Sequence, residues 1–176
     1  ISDLHLQQQR PDITRALLHF LEKIAPGADE LYLLGDIFEA WIGDDYTDPV
    51  LDEISPALLK LKAAGTAIFF MHGNRDFLLQ SKGAEKLGAE LLEAPHSLQL
   101  DQGTALLLHG DELCLDDTEY QAFRAQVRDP NWQVLFLSKP LEERLKIARA
   151  LRETSREAGA MKSEEIMDVT PAAVSE

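Results

Sequence analysis

Short apolar runs that end at or just before glycine alternate with helical patterns through the first part of the chain. This alternation limits the possible folds more than any other feature of the sequence. The runs Glu30–Leu34, Ala67–Met71 and Ala105–Leu108 are largely apolar on both faces, which is typical of buried strands. Amphipathic helices are predicted before and after the first run, at residues 14–24 and 51–61. Strands that alternate with helices predict an α/β layered domain.

Each of these helices is predicted from one apolar stripe. The stripe of the first consists of Leu17, Leu18, Leu21 and Ile24, and that of the second of Leu51, Ile54, Leu58 and Leu61. Gly65 is predicted to end the second helix.

From Thr118 onward the pattern becomes mainly helical. One helix is predicted to end before Pro130, and another to start at Pro140 and to be interrupted at Gly159. Thr170 and Pro171 indicate the N-cap and first residue of a further helix. Because that helix has barely begun at residue 176, and because the first residue is not Met, we expect segments to be missing at both ends.

Charge is distributed unevenly along the chain. The net charge of −14 argues against nucleic-acid binding, yet residues 118–162 contain nine Lys/Arg against six Asp/Glu. This basic segment is interpreted either as a solvated face of mixed charge or as a surface for phosphates or a membrane. With Cys114 as the single cysteine, no internal disulfide forms, as is usual for cytoplasmic proteins.

Four polar segments, each assigned to the end of a predicted strand, carry residue types that bind metals. They are Asp3-Leu4-His5, Gly35-Asp36, Gly73-Asn74-Arg75-Asp76 and His109-Gly110-Asp111. The carboxyl ends of strands meet at one edge of an open α/β sheet, so these segments are expected to converge. Carboxylate, amide and imidazole ligands together suit Mn, Zn or Fe(II) better than Ca. Any one segment alone is more often an ordinary turn, and the prediction depends on all four occurring in order.

These four segments resemble the successive signature blocks of the calcineurin-like metallophosphoesterases. The resemblance implies a layered α/β sandwich with two metal ions, one bound by Asp3, His5 and Asp36 and the other by Asp36, Asn74 and His109. The family motif closes with Gly-His-x-His, which this sequence lacks. On this basis we expect a C-terminal truncation that leaves each ion one ligand short, a loss that can make this chain inactive.

Longer strings resemble one branch of that family, whose members hydrolyse the pyrophosphate bond of UDP-2,3-diacylglucosamine in lipid A biosynthesis. The strings are residues 34–45, 72–79, 109–111, 120–124 and 166–169. The resemblance implies two Mn²⁺ ions, attack on the α-phosphorus, a lipid-linked nucleotide sugar as substrate, and peripheral contact with the cytoplasmic face of the inner membrane. It also implies a core at residues 1–117, a helical lid at 118–162, and the start of a returning core segment at 163–176.

The same resemblance assigns roles to individual residues. Asn74 and Arg75 are expected to be catalytic, and the substrate is expected to contact Asn74, Arg75, Asp117, Ser155 and Lys162. Arg75 stays protonated near neutral pH, so it can bind a phosphate but not act as a general acid; alternatively, it only braces Asp76. The lid would supply an apolar cleft for acyl chains, although its aromatic residues are also ordinary core residues. Two other readings stay open: a different calcineurin-like phosphoesterase, or a non-catalytic scaffold of that fold.

Overall fold

A computed structural model of the protein describes residues 1–174, apart from the side chains at positions 164 and 165. Two compact units are found, Ile1–His109 and Gly110–Glu176, the second being described through residue 174. The three-part division at residues 117 and 162 stays a prediction.

The first unit contains five strands and three helices among its described residues. In chain order they are α1 (Pro11–Lys23), β1 (Glu30–Leu34), α2 (Pro49–Ala63), β2 (Ala67–Met71), α3 (Ser81–Lys86), β3 (Glu90–Leu92), β4 (His96–Leu100) and β5 (Gly103–Leu107). The bounds of β1 and β2 are those predicted from the sequence. The α/β class is confirmed.

Three parallel strands form the sheet of this unit, in the order β1-β2-β3. Leu31 pairs with Ile68, and Leu33 with Phe70, and all four side chains are buried. The other face of these strands is mostly half-buried, so the apolar runs of β1 and β2 are covered on both faces, one of them more completely than the other.

Local signals explain where the two long helices begin. Both have proline at the first position, where its fixed φ suits a helix and its missing N–H is not needed. At the start of α2 the Asp48 side chain also accepts a hydrogen bond from the Val50 N–H at 2.9 Å. The predicted stripe of α2 is buried throughout, and α2 ends at Ala63, two residues before Gly65.

Two predictions for this unit were wrong. Ile24, placed in the stripe of α1, caps that helix and is 65% exposed. The third apolar run was predicted as a buried strand, but β5 pairs antiparallel with β4 and is half-buried or exposed along its length. Within the described residues, the segment that holds Asp3 and His5 has one β-bridge, from Leu6 to Phe38.

The second unit is helical over its described residues, as predicted. A short 3₁₀ turn at Asp111–Leu113 precedes α4 (Thr118–Arg128), α5 (Pro130–Leu137), α6 (Leu141–Met161), α7 (Glu164–Met167) and α8 (Pro171–Val174). The predicted interruption at Gly159 is wrong, since α6 continues to Met161. The predicted start of the last helix at Pro171 is confirmed.

Side chains in this unit fix the helix starts and a small apolar core. Asp129 accepts hydrogen bonds from the Asn131 and Trp132 N–H groups and so caps α5. Phe136 is buried and stacks on Trp132, with ring centroids 5.0 Å apart. Among the described helices, none is long and apolar enough to cross a membrane.

Candidate metal centre

The first residues of the chain run alongside β1 and the loop that follows it. The Asp3 N–H donates to the Gly35 carbonyl at 3.1 Å, and the His5 N–H donates to the Asp36 carbonyl at 3.0 Å. The two segments are therefore held in register by their backbones. This pairing brings Asp3 and His5 beside Asp36, although more than thirty residues separate them in sequence.

All three of these residues have left-handed backbone conformations. The φ angles are 55° at Asp3, 47° at His5 and 53° at Asp36, and no other described non-glycine residue has a positive φ. Such a conformation costs about 1–3 kcal/mol per residue, and it clusters at functional sites. The strain is thus concentrated at three of the five residues that the sequence nominated as ligands.

The side chains of these residues converge. A nitrogen of His5 and carboxylate oxygens of Asp3 and Asp36 lie within 4.8 Å of one another. Asp36 is buried, and its Oδ2 lies 3.9 Å from His5 Nε2. Two carboxylates and an imidazole at this spacing fit a divalent cation of the Mn or Zn type.

His109 approaches the other oxygen of the same carboxylate. Its Nε2 lies 3.6 Å from Asp36 Oδ1, while its Nδ1 lies 2.9 Å from the Leu34 carbonyl oxygen. A carbonyl can only accept, so Nδ1 carries the proton and Nε2 is left with a free lone pair. A ring nitrogen that donates to a backbone carbonyl while the other faces the ion is the usual arrangement of a metal-binding histidine.

Asn74 supplies a further oxygen. Its Oδ1 is buried and has no hydrogen-bond partner among the described residues. An unsatisfied buried amide oxygen costs about 1–3 kcal/mol, a cost that a bound cation removes. The residues present therefore fit a divalent metal centre, with Asp36 between the two groups of donors.

Two glycines allow the loops to come this close. A Cβ built on Gly35 would lie 2.5 Å from the backbone of Gly73 and 2.6 Å from His109 Nδ1. A Cβ on Gly73 would lie 2.2 Å from Asp36 Oδ1. Any larger residue at either position would push the loops apart, so the sequence needs glycine beside the carboxylate.

The side chain of Asp76 connects the loop at residues 35–38 with its own loop at residues 73–76 through hydrogen bonds. It is fully buried and accepts hydrogen bonds from the N–H groups of Gly73 at 2.9 Å and Ile37 at 2.8 Å, with longer contacts to Asp36 and Phe38. Burial raises the pKa of Asp76 to about 6, although the backbone N–H groups oppose the shift. The sequence interpretation gave Asp76 no role beyond a contact with Arg75.

Arg75 extends along the rim of the site. Its backbone N–H donates to Asp36 Oδ1 at 2.9 Å, and the Nε of its guanidinium lies 3.9 Å from Asp36 Oδ2. Burial raises the pKa of Asp36, while the neighbouring His109, the backbone N–H of Arg75, His5 and the Arg75 guanidinium oppose that shift. A guanidinium here can bind a phosphate oxygen and lies within reach of the same carboxylate.

The other predicted substrate contacts belong to the second unit. Asp117 caps α4 by accepting a hydrogen bond from the Tyr120 N–H, and Lys162 Nζ lies 2.6 Å from Asp117 Oδ1. Ser155 is exposed on α6. The structure thus pairs Asp117 with Lys162, while their predicted role in substrate binding stays a prediction.

Comparison with known proteins identifies the family of the chain. The family model described as calcineurin-like phosphoesterase matches residues 1–169. The chain is 53% identical over 174 residues to a UDP-2,3-diacylglucosamine hydrolase of Chromohalobacter salexigens, covering 99% of this chain and 71% of the relative. The hydrolase of that name from Cellvibrio japonicus is 52% identical over 97% of this chain and 71% of its own length. That from Serratia proteamaculans is 50% identical over 99% of this chain and 72% of its own length. The chain therefore belongs to the calcineurin-like phosphoesterase family.

Proposed function

We propose that this protein hydrolyses the pyrophosphate bond of UDP-2,3-diacylglucosamine, a step of lipid A biosynthesis. Water attacks the α-phosphorus, the bond from that phosphorus to the bridging oxygen breaks, and the products are UMP and 2,3-diacylglucosamine 1-phosphate. The observation that carries the proposal is the convergence of Asp3, His5 and Asp36 within 4.8 Å. The name shared by relatives of about 50% identity supplies the substrate.

We further propose two Mn²⁺ ions per chain, one held by Asp3, His5 and Asp36 and the other by Asp36, Asn74 and His109. The buried carboxylate of Asp36 has one oxygen towards His5 and the other towards His109, as a bridging ligand requires. Bound divalent cations at such a site activate water and neutralise phosphoryl charge.

Arg75 and Asn74 are proposed to act on the substrate itself. The guanidinium of Arg75 would bind a phosphoryl oxygen and stabilise charge that develops as the bridging bond breaks. A phosphate monoester is a leaving group that needs little protonation, so an arginine suits this position even though it donates no proton at neutral pH. Asn74 Oδ1, which lacks a partner among the described residues, would orient towards the bound ions.

The second unit is proposed to bind the lipid part of the substrate and to touch the cytoplasmic face of the inner membrane peripherally. Val134 and Leu135 on α5 are 69% and 67% exposed, and residues 118–162 have a net charge of +3. Exposed apolar side chains beside basic ones favour an anionic lipid surface. Sedimentation with phosphatidylglycerol vesicles is expected to deplete the protein from solution, and Leu135→Ser should reduce that depletion.

Hydrolysis of UDP-2,3-diacylglucosamine by the purified protein tests the main proposal. After chelation, release of UMP should stop, and added Mn²⁺ should restore it. The Asp36→Ala variant should lose at least 10³-fold in rate, since it removes a ligand shared by both ions. Asp101→Ala, a change at an exposed turn, serves as the control. A chelated protein with undiminished activity, or cleavage of simple phosphodiesters in preference to this substrate, would contradict the proposal.

A further inference from the structure

We propose that Glu39 is a positioning residue for His5, whose Nδ1 proton it holds so that Nε2 faces Asp36 with a free lone pair. The inference depends on the proposed function, in which His5 is a metal ligand. It adds a carboxylate that the sequence interpretation did not single out.

The two nitrogens of the His5 ring face two different carboxylates. Nε2 lies 3.9 Å from Asp36 Oδ2, and Nδ1 lies 3.6 Å from Glu39 Oε2. Nδ1 is itself buried and has no hydrogen-bond partner within the part of the chain that is described. A movement of about half an ångström would bring it to hydrogen-bonding distance of Glu39. The ring is therefore already oriented for this bond.

Backbone pairing fixes this arrangement. Leu6 forms a parallel bridge with Phe38, in which the Leu6 N–H donates to the Ile37 carbonyl at 2.9 Å and the Glu39 N–H donates to the Leu6 carbonyl at 3.1 Å. Leu6 and Phe38 are almost completely buried, so this bridge is anchored in the core. It places Glu39 directly after one partner and His5 directly before the other.

His109 provides an internal comparison. Its Nδ1 is held by the Leu34 carbonyl at 2.9 Å, which leaves its Nε2 towards Asp36. His5 has the same orientation, but a carboxylate replaces the carbonyl. A carboxylate partner raises the basicity of the ligating nitrogen, and loss of such a partner typically lowers metal affinity 10–100-fold. Glu39 would therefore raise the affinity for the ion that His5 binds and leave the affinity for the ion at His109 largely unchanged.

Two readouts test this role. In the metal-free protein, ¹⁵N NMR of labelled histidine is expected to show His5 protonated at Nδ1, with the His5→Gln variant assigning the signal. Glu39→Ala should move the proton to Nε2, whereas Glu39→Gln should keep it on Nδ1, because the amide oxygen still accepts. Calorimetric titration should show that Glu39→Ala lowers the affinity for one of the two Mn²⁺ ions 10–100-fold. In Glu39→Gln the affinity for that ion should fall less than tenfold. The exposed Glu53→Ala variant should match the unmodified protein in both.

The outcomes separate the inference from the function on which it rests. An unmodified protein that binds no Mn²⁺ would contradict the proposed function. The role of Glu39 would still be tested in the metal-free protein, by whether Glu39→Ala moves the His5 proton from Nδ1 to Nε2. An unchanged tautomer and unchanged Mn²⁺ affinity in Glu39→Ala would overturn the inference. Equal losses in the alanine and glutamine variants, or equal weakening of both ions, would also overturn it.

Discussion

Replacement of Asp76 by alanine should destabilise the protein without replacing any proposed ligand. Four backbone N–H groups point at this carboxylate, two of them at 2.9 Å or less. Each buried N–H left without a partner costs about 1–3 kcal/mol, so the four groups together account for roughly 4–12 kcal/mol, and the two longer contacts favour the lower half of that range.

Burial of the charge offsets part of this effect. The pKa of Asp76 is raised to about 6 from an ordinary value near 3.8. At 1.36 kcal/mol per pKa unit, the ionised form carries a cost of about 3 kcal/mol at pH 8, which alanine removes. We therefore expect Asp76→Ala to lower the free energy of unfolding by about 3 kcal/mol.

Urea denaturation of the metal-free protein at pH 8 measures this difference. With a slope of about 1–3 kcal/mol per molar urea, the midpoint should fall by roughly 1–3 M. The exposed Asp101→Ala variant should change stability by less than about 0.5 kcal/mol. A midpoint for Asp76→Ala within 0.3 M (about the effect of a surface change) would refute the argument that this carboxylate fastens the two loops.

Three further changes have defined outcomes. Gly73→Ala should lower stability by about 1–3 kcal/mol in urea and abolish Mn²⁺ binding, because its Cβ would lie 2.2 Å from Asp36 Oδ1; normal Mn²⁺ affinity would contradict this. Phe136→Ala should cost about 3–5 kcal/mol in the same assay, since the ring is buried; an exposed ring would give a negligible change. Burial raises the pKa of Asp117, but the hydrogen bond from Lys162, the Tyr120 N–H and the charge of Lys162 together hold that pKa below its usual value. The stability that the Asp117–Lys162 pair contributes is therefore present above about pH 4 and is lost as the pH falls through the lowered pKa. Asp117→Asn should flatten the decline in urea midpoint below about pH 4; an equal decline in both proteins would show that the pair contributes nothing.

Parts of the fold could be predicted because they depend on local chemistry. β1 and β2 are apolar runs bounded by turn residues, and α2 has a proline start and a complete apolar stripe. The burial of β5 could not be predicted in this way. An apolar pattern shows that a strand can be buried, but not which neighbours cover it, and β5 has only β4 beside it in the hairpin.

The candidate ligands could be predicted from the sequence, but the residues that hold those ligands in place could not. Asp3, His5 and Asp36 were nominated from their motifs, and the structure brings them together. Asp76 and Glu39 were missed because their contacts depend on long-range pairing. Asp76 meets backbone groups up to forty positions away, and Glu39 reaches His5 only through the bridge between Leu6 and Phe38.

The position of bond cleavage tests the proposed function most directly. Hydrolysis of UDP-2,3-diacylglucosamine in H₂¹⁸O, followed by mass spectrometry of both products, shows which phosphorus water attacks. The proposed attack at the α-phosphorus predicts ¹⁸O in UMP and none in 2,3-diacylglucosamine 1-phosphate. Label in the sugar phosphate, or no metal-dependent release of UMP, would contradict it.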